Sequence, residues 1–171
     1  KQGLDKQIVE KLKIRCSKPK LSDWKKVTKL ESEQKGETKI AMVGKYTELV
    51  DSYKSVNEAL IHAGIHNKTN VKIEHIDSER FNDKVDNLEA HGILIPGGFG
   101  NRGINGMLNV TKFARENNIP YFGICLGMQV AVIEFARNVL KLDANSTEFN
   151  KTTRHPVIGL ITEWLDDDGL I

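Results

Sequence analysis

Four short apolar runs, each followed by a segment of helical or turn character, constrain the fold of this chain most strongly. The runs are KIAMVGK, VKIEHID, GILIPGG and IPYFGIC. Each has the length and the apolar or β-branched composition of a strand. Strands that alternate with helices favour a parallel sheet covered on both faces. The sequence therefore predicts a three-layer α/β fold with helices on both sides of a parallel sheet.

The segments between and after these runs are predicted to be helices. They are SYKSVNEALIHAG, SERFNDKVDNLEAH, GMLNVTKFARENN and LGMQVAVIEFARNVL, of which the second has the weakest helical pattern. In the last segment, apolar residues at helical spacing predict a stripe that faces the core. The members of this stripe are Met128, Val132, Phe135 and Val139.

Charge and composition exclude several classes of function. The chain has 25 Lys and Arg against 23 Asp and Glu, a formal net charge of +2, which does not favour binding to nucleic acid or to a membrane. No run has the length of a transmembrane helix, and the first residues do not resemble a secretory signal. We therefore expect a cytoplasmic protein whose two cysteines, Cys16 and Cys125, are reduced. No spacing typical of metal ligands is present, so no metal site is predicted.

The first 38 residues differ in character from the rest. A stripe of apolar residues beginning at Leu4 predicts a short amphipathic helix. Residues 16–38 are polar, charged and poor in apolar side chains, which is typical of a linker. We therefore predict a boundary between a segment 1–38 and a domain 39–171.

Cys125 directly follows the fourth run and lies between Gly123 and Gly127. Two interpretations are open: a small side chain packed between strand and helix, or a nucleophile. The G-x-C-x-G spacing is the cysteine form of a nucleophile elbow, where glycines leave room for a tight, strained turn. The N-terminus of the following helix would favour a thiolate, and the N–H of Leu126 would face a tetrahedral oxyanion. The paired glycines favour the nucleophile.

The loop PGGFGNRG ends the third run and also has more than one interpretation. A phosphate loop is disfavoured, because neither GxxxxGK[ST] nor GxGxxG is present. A plain turn remains possible. Alternatively, the amide of Gly98 supplies the second oxyanion donor opposite Cys125, Phe99 forms a wall of the pocket, and Arg102 with Gly103 begins a mobile lid.

Several motifs in combination resemble a known family. They are GKYTELVDSYKSVNEAL, GILIPGGFGNRG, YFGICLGMQVAVIEFARNVL, DANSTEF and HPVIGLITEW. Together they resemble the glutaminase domain of the CTP synthase family, a class I glutamine amidotransferase with a flavodoxin-like fold. The first motif and NSTEF narrow the match to this family. The segment 1–38 resembles the end of the preceding synthetase domain with its linker, and 39–171 resembles the glutaminase domain.

The resemblance implies an activity and its partners. The glutaminase domain hydrolyses glutamine through a Cys thioester and passes ammonia to the synthetase domain of the same chain. That domain uses ATP and Mg²⁺ to aminate UTP to CTP, GTP activates the glutaminase step, and the full-length enzyme forms a homotetramer. No cofactor is implied for the glutaminase domain itself.

The resemblance also implies roles for individual residues. Cys125 matches the nucleophile, and Gly98 and Leu126 match the oxyanion donors. The residues that match the glutamine-binding site are Gly98, Phe99, Leu126, Gly127, Met128, Gln129 and Glu148. Glu148 would pair with the α-ammonium group, although by itself it also fits an ordinary loop charge, and Gln129 by itself fits a helix cap. Arg102 and Gly103 match the lid associated with GTP.

The sequence departs from the family pattern in two places. The family places the general base in a late His-x-Glu pair, and none of the five histidines here is followed by that spacing. We therefore expect the glutaminase domain to be incomplete at its C-terminal end and inactive alone. The lid also reads RGINGM, with Asn105 where the family has Glu, which leaves the strength of GTP activation open. The alternatives are another class I amidotransferase, a γ-glutamyl hydrolase, or an inactive fragment that acts as an interaction module.

Overall fold

The computed structural model of the chain describes residues 3–17, 20–47, 50–159, 165–166 and 169–170. Five α-helices and eight strands lie within these ranges. The helices are α1 (Leu4–Lys11), α2 (Ser22–Ser32), α3 (Lys54–His66), α4 (Ile104–Glu116) and α5 (Leu126–Asn138). The strands are β1 (Glu37–Gly44), β2 (Asn70–Asp77), β3 (Gly92–Ile95), β4 (Tyr121–Gly123), β5 (Ala144–Ser146), β6 (His155–Ile158), β7 (Leu165–Asp166) and β8 (Gly169–Leu170).

The first four strands form one sheet in the order β2-β1-β3-β4. All three pairings in this sheet are parallel. The order reverses between β1 and β3, as at the switch point of a doubly wound sheet, where ligands gather at the carboxyl ends of the strands. The four predicted strands and the parallel α/β architecture are confirmed.

The two central strands are buried on both faces, which explains their continuous apolar sequences. Val43 and Ile95 belong to the larger core, which also contains the buried faces of α4 and α5. Met42 and Leu94 belong to a second core with half-buried Leu60 of α3. Helices therefore cover opposite faces of the sheet, and the predicted three layers are confirmed.

The orientation of α5 differs from the prediction. The residues of the predicted stripe are exposed, from 39% at Val132 to 50% at Met128. The buried face is instead formed by Leu126, Val130, Ile133 and Ala136. Because α5 is apolar on both sides, each stripe has helical spacing, and spacing alone cannot decide which one faces the sheet.

The helix predicted for SERFNDKVDNLEAH is also wrong. Only Ser78–Phe81 is helical, as a single 3₁₀ turn, and the Asp77 carboxylate accepts a hydrogen bond from the Glu79 N–H at its start. The chain then runs irregularly to β3. Asn87 has a φ of +53°, a left-handed conformation through which an α-helix cannot continue.

The N-terminal helices differ in how they meet the domain. Leu4 and Ile8 of α1, and Leu12 directly after it, are exposed, although they lie at the predicted helical spacing. The end of α2 is held near the start of β2, because Lys35 N–H donates to Lys68 O at 2.7 Å. The predicted boundary after residue 38 stays a prediction. Within the described residues, no helix has the length and hydropathy needed to cross a membrane.

Candidate active site

Three loops meet at the carboxyl edge of the sheet. Lys45 follows β1, residues 96–100 follow β3, and Cys125 follows β4. Because neighbouring parallel strands end at the same edge, these segments lie side by side. The predicted nucleophile and the glycine-rich loop are therefore brought together.

Cys125 lies at the sharp turn between β4 and α5. Its backbone has φ +53° and ψ −105°, a conformation that is strained for a residue with a Cβ. Ile124 N–H donates to Ile95 O at 2.9 Å, which ties the turn to the neighbouring strand. The thiol is exposed, so the alternative of a packed core cysteine is wrong. Exposure at a strained strand-to-helix turn is the arrangement expected of a nucleophile elbow.

The glycines on either side of Cys125 are required by packing. A Cβ added at Gly123 would lie 2.4 Å from the carbonyl carbon of Gly127. A Cβ added at Gly127 would lie 2.1 Å from Ile95 O. Both clashes are with backbone, which cannot rotate away as a side chain can. The G-x-C-x-G pattern thus has a steric cause in this fold.

The glycine-rich loop lies against the elbow. A Cβ added at Gly97 would be 3.6 Å from Cys125 Cβ, and one added at Gly98 would be 3.2 Å from Leu126 Cδ2. Leu126 is the first residue of α5, and the first N–H groups of a helix have no acceptor within it. The two predicted oxyanion donors are therefore on adjoining segments beside the thiol.

Two side chains hold Gly100 of this loop. The Glu148 carboxylate accepts a hydrogen bond from Gly100 N–H at 3.0 Å. The Lys45 ammonium donates to Gly100 O and, at 2.9 Å, to Phe99 O. Phe99 is 79% exposed, and its predicted role as a wall of the pocket stays a prediction.

A cavity of about 750 Å³ lies beside the start of α5. Its lining residues are Gln129, Ser146, Thr147, Glu148, Lys151, Ile158 and Gly159. Pairing of β5 with β6 forms one wall, and the Ser146 hydroxyl accepts a hydrogen bond from Glu148 N–H at 3.1 Å. Two of the predicted glutamine-binding residues, Gln129 and Glu148, thus share one cavity. Lys151, a cation three residues after Glu148, also lines this cavity, and no local sequence pattern identifies it.

The predicted lid residues are attached to the end of β2. The Arg102 guanidinium donates to Asp77 at 3.1 Å and to Glu79 at 3.0 Å. Gly103 has a φ of +69°, and a Cβ there would lie 2.0 Å from Ser78 Oγ. The lid role stays a prediction, but its first two residues contact the 3₁₀ turn that follows β2 and, through Asp77, the end of that strand.

None of the five histidines lies on the three segments that meet at Cys125, and His155 begins β6. His75 stacks on Tyr53 with ring centroids 6.2 Å apart. His91 Nδ1 accepts a hydrogen bond from Lys39 N–H at 2.9 Å, at the amino end of β1 and therefore at the opposite edge of the sheet. His62 and His66 lie on α3. Among the described residues, no group of His, Cys, Asp and Glu is arranged to hold a metal ion.

The hydroxyl group of a tyrosine also holds the elbow. Tyr121 of β4 donates a hydrogen bond to Gly127 O at 2.7 Å, across the Cys125 turn. Burial, with a smaller contribution from the Glu134 carboxylate, raises the pKa of Tyr121 to about 12. A hydrogen bond with Thr111 acts in the opposite direction on this pKa.

This pKa predicts a loss of stability in alkali. In the unfolded chain the phenol ionises near its ordinary pKa of about 10, whereas in the folded chain it keeps its proton to about 12. Between these values the unfolded state binds fewer protons, so the free energy of unfolding falls as the pH rises. We expect the wild type to lose about 1 kcal/mol more than Tyr121→Phe between pH 9 and pH 11 in urea titrations. If the wild type and Tyr121→Phe lose the same free energy of unfolding over this pH range, the raised pKa of Tyr121 is contradicted.

Known proteins resemble this chain in sequence and in fold. The profile of the family "Glutamine amidotransferase class-I" matches residues 48–160. Among solved structures, the chain is similar to the glutaminase domain of Trypanosoma brucei CTPS with bound acivicin, at 42% identity and a TM-score of 0.67. The match covers 78% of this chain and 54% of that chain, so this chain spans about half the length of that structure.

Proposed function

The chain belongs to the class I glutamine amidotransferase family, and on this premise we propose that Cys125 is the nucleophile that hydrolyses the side-chain amide of glutamine. One observation carries the proposal. The thiol is exposed at a strained turn, between two glycines whose Cβ atoms the backbone would not accommodate. Such a turn is retained where chemistry needs the side chain presented outward.

The proposed reaction is acyl transfer through a thioester. The Cys125 thiolate attacks the side-chain carbonyl carbon of glutamine, and the carbonyl oxygen becomes an oxyanion that accepts hydrogen bonds from the N–H groups of Gly98 and Leu126. The C–N bond then breaks, and the nitrogen takes a proton and leaves as ammonia. Water attacks the γ-glutamyl thioester, which releases glutamate and the thiol.

The cavity beside α5 is the proposed site for the amino-acid end of the substrate. Glu148 uses one carboxylate oxygen to hold Gly100 N–H, and the other is available for an α-ammonium group. Gln129 lies one helical turn after Cys125 and lines the same cavity. Gly127, Met128 and Phe99 complete the proposed glutamine site, with Arg102 and Gly103 as the proposed effector lid.

A general base is needed for turnover, and the sequence contains no His-x-Glu pair to supply it. We therefore assign to this chain the nucleophile, the oxyanion donors and part of the substrate pocket. A test of this assignment has to be independent of turnover.

The finer proposal is that the ammonia serves CTP synthesis. Similarity at 42% identity to the Trypanosoma brucei CTPS glutaminase domain supports it. In this proposal a synthetase domain uses ATP and Mg²⁺ to aminate UTP, GTP activates glutamine hydrolysis, and the protein is a cytoplasmic homotetramer. Another class I amidotransferase, a γ-glutamyl hydrolase or a non-catalytic interaction module are the alternatives. Glutamine-dependent formation of CTP from UTP and ATP would distinguish the proposed role in CTP synthesis from these three alternatives.

The experiment that tests the nucleophile is covalent labelling with 6-diazo-5-oxonorleucine, a glutamine mimic with an electrophilic carbon. We expect one adduct, located on Cys125 by peptide mapping, and we expect excess L-glutamine to slow its formation at least tenfold. Labelling is expected to require the thiolate and the pocket but not a complete turnover cycle.

Cys16 provides an internal control, because it is also an exposed free thiol. Iodoacetamide, which needs no pocket, is expected to alkylate both cysteines. If the glutamine mimic modifies Cys16 and Cys125 at equal rates, the proposed site is wrong.

A further inference from the structure

Lys45 is a buried cation that the proposed chemistry does not use. It directly follows β1, and its side chain is only 3% exposed. Its stem runs beneath the glycine-rich loop, since a Cβ added at Gly98 would lie 3.5 Å from Lys45 Cδ. Lysine is rarely this buried unless its ammonium group is engaged.

The partners of the ammonium group are main-chain carbonyls of one loop. Nζ donates to Phe99 O at 2.9 Å and to the carbonyl of the next residue, Gly100. Within the described residues, no carboxylate lies within ion-pair distance of Lys45. Burial lowers the pKa of Lys45, the charge of Glu148 opposes this shift, and that of Arg102 adds to it.

The backbone from which Lys45 projects is itself fixed. Lys45 N–H and Tyr46 N–H both donate to the Tyr53 hydroxyl, at 3.1 and 3.2 Å. Tyr53 is buried and stacks on His75 of β2. The lysine therefore extends from a backbone segment that is held by hydrogen bonds, and its own two hydrogen bonds join that segment to the loop.

Gly100 is held from both sides as a result. Its carbonyl is bound by Lys45 and its N–H by Glu148, which lies on a different part of the fold. Gly98, the proposed oxyanion donor, is two residues earlier in the same short loop. Burying an ammonium group against carbonyls alone is costly in free energy, and an apolar side chain would fill the same space. The contribution that offsets this cost is a fixed conformation of the 96–100 loop.

We infer that Lys45 is a positioning residue that fixes the 96–100 loop so that the Gly98 N–H faces the oxyanion at Cys125. This inference rests on the proposed function. Lys45 acts through the loop backbone and makes no contact with the reacting atoms.

The test compares the rates at which two electrophiles modify Cys125 in the wild type and in the Lys45→Met variant. Methionine keeps most of the stem and removes the ammonium group. We expect the maximal rate of Cys125 labelling by 6-diazo-5-oxonorleucine to fall about tenfold, because its ketone occupies the oxyanion site. We expect the concentration for half-maximal rate to change less than twofold, and alkylation by iodoacetamide to keep its wild-type rate.

Stability distinguishes positioning from a structural role. Phe99 and Gly100 are exposed, so water can satisfy their carbonyls once the lysine is gone, and the midpoint of thermal unfolding is expected to stay at or above the wild-type value. Lys39→Met is the matched control, at the opposite end of β1 with an ion pair to Glu74. It is expected to label at the wild-type rate.

The outcomes separate the two proposals. If the wild type is not labelled at Cys125, the proposed function fails. If the wild type is labelled and Lys45→Met is labelled equally fast, the inference about Lys45 is wrong and the function stands. Equal loss of labelling by both electrophiles also overturns the inference.

Lys45→Gln provides a second variant, because its side chain is too short to bind both carbonyls. Failure of both variants to fold would show that Lys45 is structural, and the inference would then be wrong.

Discussion

Replacing Cys125 with alanine is expected to abolish covalent labelling of the protein by 6-diazo-5-oxonorleucine at this site. The variant has no thiolate that can attack the electrophilic carbon of the glutamine mimic. The exposed thiol makes little contribution to packing, and alanine meets the same backbone strain as cysteine at φ +53°. The free energy of unfolding is therefore expected to change by less than about 0.5 kcal/mol. The measurement is mass spectrometry of the labelled protein, with urea unfolding of the same preparation.

Cys16→Ala is the control for this substitution. Cys16 is also exposed, and it lies between α1 and α2. Its removal is expected to leave labelling of Cys125 by the glutamine mimic unchanged. Substantial labelling of Cys125→Ala, or loss of labelling in Cys16→Ala, would place the reactive thiol elsewhere.

Gly127→Ala is expected to cause the largest loss of stability among single methyl additions near the site. The new Cβ would lie 2.1 Å from Ile95 O and 2.9 Å from Ile95 C. Ile95 belongs to β3, which is paired on both sides, so relief of the clash requires movement of the central sheet or of α5. We expect the free energy of unfolding to fall by about 3 kcal/mol and labelling of Cys125 by the glutamine mimic to be lost. Urea unfolding and mass spectrometry measure the two effects.

Gly159→Ala adds the same methyl group where space exists. Its nearest neighbours would be Thr147 atoms at 3.9 Å, an ordinary contact, and the residue is exposed. We expect a change in stability within about 0.5 kcal/mol. Equal stability of the two variants would mean that the elbow tolerates a Cβ and that the steric account of the motif is wrong.

The parallel sheet and the elbow could be predicted because both depend on local pattern. The four apolar runs have the length and composition of buried strands, and their alternation with helices restricts the topology. The glycines beside Cys125 indicate a tight turn, because few other local backbone conformations require a glycine two residues before and two residues after a cysteine. The roles of Gln129 and Glu148 depended on family resemblance, since neither residue has a distinctive local pattern. The structure places both on one cavity.

Features that depend on distant partners could not be predicted in this way. The buried face of α5 is chosen by its fit to the sheet, because Ile133 and Phe135 are equally apolar but only Ile133 meets the core. Lys45 at the end of a strand has the pattern of an exposed charge. Its burial follows from a loop 54 positions later in the chain, at Phe99. The segment after Phe81 is irregular although Phe81, Val85 and Leu88 contact the core at the spacing of a helix, so this spacing did not reveal the irregular backbone.

The wide separation along the chain of the groups around Cys125 also bears on how the molecule folds. Lys45, Gly98 and Cys125 follow different strands, and their strands must pair across long sequence separations before the groups meet. Individual helices can form early from local contacts, whereas a reactive pocket exists only after the last long-range pairing is complete. Pulsed labelling of Cys125 during refolding would therefore time the closing step of sheet assembly, which spectroscopic probes of helix content do not report.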